Sequence, residues 1–152
     1  MTNMNVAMTT MTIEALHTAI RRSLVDRAAN AADAGELAEA TLCIWRKTAA
    51  RLAPLLGVRG VDALFGRALH LTTSSFPWLA VAGDHGDSAA LLATLKARFA
   101  HREMDVAIEA SYTLLTNFAD LLVILIGDYL TERLLGPVWV PAPKIIQQES
   151  AS

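Results

Sequence analysis

The sequence predicts an all-α fold, a bundle of about five mostly antiparallel helices around a long apolar helix spanning about residues 104–135. Three observations predict it. Apolar residues recur three and four apart over most of the chain, the period of a helix face. No stretch alternates apolar and polar residues in the manner of a half-buried strand. The links between periodic stretches are short and marked by Gly, Pro or an acidic cap, with one longer exception at 74–87. Three parts follow: a tail at 1–11, one bundle domain at 12–136 and an extended tail at 137–152.

Residues 1–11 form a Thr/Met/Asn stretch that holds four of the five methionines, and no structure is expected of them. Thr12 is placed to cap a first helix reaching about Ala31, with Ile13, Leu16, Ile20 and Leu24 along one face. Asp33 and Glu36 have capping-box spacing and open a second helix. Ala38, Leu42, Trp45, Ala49, Leu52 and Leu56 form its packing stripe, and Pro54 should kink or end it near Arg51–Ala53. Gly57–Gly60 reads as a turn before a third helix, about Val61–Thr73.

The irregular piece Ser74–Asp87 carries Phe76-Pro77-Trp78-Leu79, and two large aromatics in a loop imply that it is pinned to the core. A polar turn follows at Gly83–Asp87, and Asp87 or Ser88 caps a fourth helix carrying Leu91, Leu92, Leu95 and Phe99. Lys96, Arg98 and Arg102 cluster at its far end, where cations complement the helix dipole. A break is expected at His101–Asp105. Glu103 and Asp105 suit a new N-terminus, and an unbroken helix to Leu135 would be long for a globular domain.

In the helix expected at 104–135, Leu114, Leu115, Phe118, Leu121, Leu122, Val123, Leu125, Ile126, Tyr129 and Leu130 share an arc of more than half the circumference. Such a helix must be covered on most sides, by its own chain or by a second copy. Gly136 can take the left-handed position after the last turn, and Pro137 should forbid continuation. The proline-rich tail beyond is expected to be extended, with Trp139, Ile145 and Ile146 as anchors for a groove of this or a neighbouring subunit.

Composition narrows the function. A net charge of −2 without a basic cluster argues against nucleic-acid binding, and the pairs Arg21–Arg22 and Arg46–Lys47 read as solvated faces. The single Cys43 excludes an internal disulfide framework and fits a reducing compartment. A mean hydropathy of +0.36 raises the question of a membrane. The longest apolar run of the central helix, however, is confined between Asp120 and Asp128, short of the roughly 20 residues that a span needs. With no basic region before an apolar core at the N-terminus, a soluble, cytoplasmic protein is expected.

Several residues invite a chemical reading, and each has a plainer one. Glu14 and His17 have the Glu-x-x-His spacing of di-iron bundles, but no second pair exists in the chain. His70 sits mid-helix, as the phosphoacceptor of a histidine phosphotransfer bundle does. The basic residue and glycine expected beside such a histidine are Thr73 and Ser74 here, so a solvated histidine is the alternative. Asp84, His85 and Asp87 share one loop, too few ligands for zinc or calcium and enough for a turn with a helix cap. Asp120 and Asp128 are about 12 Å apart along a helix, too far to work as a catalytic carboxylate pair. No cofactor and no metal site is implied.

The strip left beside the apolar arc of the central helix holds Glu109, Thr113, Thr116, Asn117, Asp120, Gly127, Asp128 and Thr131, with no Lys or Arg before Arg133. Small, weakly polar residues let another backbone approach, so this face, together with Trp139, is the expected contact with a second subunit. The competing reading is a groove covered by the same chain. The sequence therefore points to a non-enzymatic module acting as a homodimer or by binding a protein partner. One alternative is a sensor holding an apolar ligand among Phe76, Trp78, Phe118, Leu122 and Tyr129. Another is phosphotransfer through His70.

Overall fold

The structure, a computed structural model, describes residues 13–80 and 88–139. The expectations for residues 1–12, for the Gly83–Asp87 turn with Asp84, His85 and Asp87, and for the tail from Val140 onward lie outside the described residues. Among the described residues the fold is an all-α bundle of five helices. They are α1 (Ile13–Asn30), α2 (Ala34–Thr72), α3 (Ser88–Ala100), α4 (Met104–Ile126) and α5 (Asp128–Trp139), with a short 3₁₀ turn at Pro77–Leu79.

Local chemistry sets most of the boundaries. Asp33 Oδ1 accepts the Glu36 amide at 3.0 Å, while the Glu36 carboxylate reaches back to the Ala32 amide at 2.8 Å, one residue earlier than in a standard capping box. The expected break before α4 lies at 101–103, and Asp105 Oδ1 accepts the Val106 amide at 2.8 Å in its first turn.

The expected link between the second and third helices is shorter than four residues, and one helix expected to be continuous is broken. The second helix runs through Pro54 to residue 56, bends at Gly57 alone and resumes at once, with no four-residue turn. Pro54 and Ala50 are both exposed, so the carbonyl that Pro54 leaves without an amide faces water. The reversal at Gly57 is sharp. Trp45 and Phe65 stack with ring centroids 4.4 Å apart, although a continuous helix would hold them about 30 Å apart.

The central helix does not reach Leu135. It stops at Ile126, the Gly127 amide caps the Val123 carbonyl at 2.8 Å, and α5 begins one residue later. Nor do Gly136 and Pro137 end the next helix, which runs on to Trp139. A proline clashes with the Cβ of the residue before it when that residue is helical, and Gly136 has no Cβ.

The pairings fix the topology. His17 meets Asp120 and Arg21 meets Glu109, so α1 runs antiparallel to α4. Lys96 pairs with Glu39 at 2.7 Å and Gly35 lies against Ala100, so α3 runs antiparallel to the first arm of α2. The core gathers the α1 stripe Leu16, Ile20 and Leu24 with Leu37, Trp45, Leu52, Phe65, Leu95, Phe118 and Leu122. Each such side chain contributes about 1.5–3 kcal/mol by leaving water. The helix α4 alone among the described residues is long and apolar enough to cross a membrane. Within the bundle it is the central element, packed by α1 and by both arms of α2.

Candidate functional site

The strip of small polar residues on α4 and α5 is turned mostly inward. Thr116 is buried and its hydroxyl donates to the Tyr112 carbonyl at 2.9 Å. Asn117 Nδ2 donates to Thr72 Oγ1 at 3.1 Å, closing α4 onto the second arm of α2. Asp120 faces His17 across α1 at 2.8 Å. Thr131 is fully buried and donates to the Gly127 carbonyl at 2.7 Å, and Trp139 is buried too. Thr113 is half-buried and Gly127 is exposed at the bend. The close approach that these residues suggest is therefore made largely by α1 and α2 of the same chain.

The residues considered for an apolar-ligand pocket fall into separate places. Phe76 and Trp78 meet edge to face at 6.1 Å, and Trp78 stands against Phe99 at 5.3 Å. Arg102 covers the Trp78 ring, Arg98 donates to its carbonyl at 3.0 Å, and Leu79 is fully buried. The loop is thus pinned to the core, as its composition implies. Phe118 and Leu122 are buried packing residues, Phe118 against Trp45 at 4.8 Å, whereas Tyr129 is exposed under Arg133. The apolar cavity between Trp45, Phe65, Phe99 and Leu115 holds about 20 Å³, room for about one water.

The candidate chemistry is dispersed. His17 pairs with Asp120 and not with Glu14, which is exposed. His70 is exposed on the second arm of α2, where its carbonyl accepts the Thr73 hydroxyl at 2.6 Å. Cys43 is exposed on the first arm. Among the described residues no three His, Cys, Asp or Glu side chains gather as metal ligands would. One basic pair is not simply solvated: Arg21 makes a two-pronged bond to Glu109, at 2.7 and 3.0 Å, and lies 4.0 Å over the Tyr112 ring. The hydrogen bond to Glu109 raises the Arg21 pKa, and in return Arg21 holds the Glu109 carboxyl below its ordinary range.

What the sequence reading missed is an apolar end of the bundle. Leu55 and Val58 flank the Gly57 bend, and Ile124, Leu125, Tyr129 and Leu130 flank the Gly127 bend. Ile124 is 82% exposed and Val58 is 67% exposed. Arg51 Nε donates to the Leu134 carbonyl at 2.6 Å, one turn from Leu55 on one side and one turn from Leu130 on the other. Both bends thus lie at the same end, rimmed by exposed Arg59, Asp128 and Arg133. The sequence placed Leu125, Tyr129 and Leu130 on the covered arc of one long helix. The reversal at Gly127 instead leaves them in solvent.

Compared with known proteins, the chain matches no family, no curated protein and no solved structure.

Proposed function

We propose that this chain is a non-enzymatic cytoplasmic module that acts by self-association, with a second copy seated on the apolar end of the bundle. The observation that carries the reading is the grouping of Leu55, Val58, Ile124, Leu125, Tyr129 and Leu130, all exposed, around two adjoining bends. Several large apolar side chains exposed at one end of a folded domain favour an interaction site there. A second copy is favoured over an unlike partner by the charges of the rim. Arg59, Arg133 and Asp128 are all exposed at this end, so a two-fold axis through it would let each copy's cations meet the other's carboxylate. This moves the contact away from the Thr116–Thr131 strip, whose polar groups are engaged within the chain.

Sedimentation velocity of the full chain and of Ile124→Glu over a micromolar concentration series tests the proposal. The expected result is a concentration-dependent dimer that becomes a monomer in Ile124→Glu with unchanged helical circular dichroism. A wild-type chain that stays monomeric throughout overturns the second copy as occupant. The apolar-ligand sensor draws little support from a cavity of about 20 Å³, against the several hundred cubic ångströms of an ordinary ligand site.

A further inference from the structure

The helix α5 starts at the Gly127 bend and lies in the groove between α1 and the first arm of α2, touching both. Because α1 also begins at that end, with His17 beside Asp120, the two helices run the same way. They do not end together. Val138 and Trp139, the last two residues of α5, share an open cleft of about 430 Å³ with Arg22, Asp26, Arg27 and Asn30 of α1. This cleft continues the groove that α5 fills, and it runs on along the closing turns of α1.

We propose that the cleft is the seat of the chain's own segment 140–152, docked in extended form along α1. Trp139, the last described residue, lines the cleft, so the segment that follows it starts at the site. Thirteen residues reach about 40 Å when extended, whereas Ala19 to Asn30 occupies roughly 17 Å of helix. Pro141 and Pro143 lack a backbone donor and favour extended backbone, so a segment docked in that form has little entropy to lose. The chemistry matches in both signs. Lys144 and Glu149 of the segment have Asp26 and the pair Arg22 and Arg27 to meet, while Ile145 and Ile146 suit the apolar wall at Val138 and Trp139. The apolar end lies at the opposite pole of α1, so the two surfaces are independent.

Hydrogen exchange and peptide binding test the proposal. A variant ending at Trp139 should exchange the amides of residues 23–30 at least about tenfold faster than the full chain, a difference of about 1.4 kcal/mol. A synthetic peptide of residues 140–152 should restore their protection. The double substitution Arg22→Glu, Arg27→Glu should weaken that peptide at least about tenfold. Unchanged exchange on truncation, or no peptide binding at millimolar concentration, overturns the proposal.

Should the shortened chain fail to fold, the full chain gives a second readout. With Cys43→Ser as background, Asp26→Cys and Ile145→Cys should form a disulfide within one chain. No disulfide, or one only between chains, contradicts seating on the same chain. A between-chain bond would assign the segment to a neighbouring copy. Ile124→Glu should leave every one of these readouts unchanged, which separates this proposal from the one about the apolar end.

Discussion

Gly57 and Gly127 hold nearly the same backbone conformation, φ 80° and ψ 155° at the first and φ 89° and ψ 161° at the second. This region of backbone space is open essentially to glycine alone. Each residue reverses the chain between two helices in a single step, and the two reversals lie side by side at the apolar end. They position the exposed surface: without the second, Tyr129 and Leu130 would continue the face of α4.

Replacing either glycine by alanine should therefore destabilise the bundle by about 1–3 kcal/mol, through backbone strain alone. A Cβ at either position would meet no atom within 4 Å, so no clash adds to that cost. Gly66→Ala is the control, because that glycine also has open space but stands inside a helix, where alanine is favoured. Urea denaturation should show a lower midpoint for the first two variants and an equal or higher one for the third.

The bond between Asn117 and Thr72 predicts a different kind of loss. Thr72 Oγ1 donates to the Ala68 carbonyl at 2.7 Å and accepts from Asn117 at 3.1 Å, with the threonine fully buried. Thr72→Val keeps the shape and leaves the Asn117 amide without that acceptor, which should cost about 1–3 kcal/mol. Adding Asn117→Leu should recover part of it. A double-mutant cycle followed by thermal unfolding reads the coupling, and additive effects would contradict it.

For Arg21 and Glu109 the expected effect depends on pH. Arg21 holds the Glu109 carboxyl below its ordinary value of 4.5, chiefly through their hydrogen bond. A carboxyl with a depressed folded-state pKa adds stability that is complete above the unfolded value and is lost as pH falls through the folded one. Both side chains are about half exposed, so the contribution should stay under about 1 kcal/mol. Glu109→Gln should lower stability by that amount at neutral pH and make acid unfolding less steep.

The parts of the fold legible in the sequence are those decided by local chemistry. The stripe Leu16, Ile20 and Leu24, the Asp33 cap and the break before Met104 each depend on residues within a turn or two. The bends do not. A lone glycine in a helical pattern looks the same whether it continues the helix or reverses it, and packing decides, as Trp45 on Phe65 does at Gly57. Pro54 and Pro137 mislead for a related reason: solvent at one and a preceding glycine at the other remove the usual penalty. Within the candidate site, the strip from Thr113 to Thr131 does mark close approach. Its main partners are α1 and α2, joined through pairs such as His17 and Asp120, 103 residues apart and invisible to any local rule.

Trp45 and Ile124 should respond to mutation in opposite ways. Trp45 is buried between Phe65 and Phe118, and Trp45→Ala should cost about 3–5 kcal/mol. Ile124 stands in solvent, and Ile124→Glu should change the stability of the isolated chain by no more than about 0.5 kcal/mol. Denaturation at submicromolar concentration checks both. A large loss from Ile124→Glu would mean that this side chain supports the monomer's own fold.

The most direct test of self-association through the apolar end is native mass spectrometry of the purified chain beside its Ile124→Glu variant at micromolar concentration. A dimer with no added mass is expected for the first and a monomer for the second. A monomeric wild type, or a dimer that survives the substitution, would contradict it. So would a reproducible extra mass of a few hundred daltons, which would point instead to a bound small molecule.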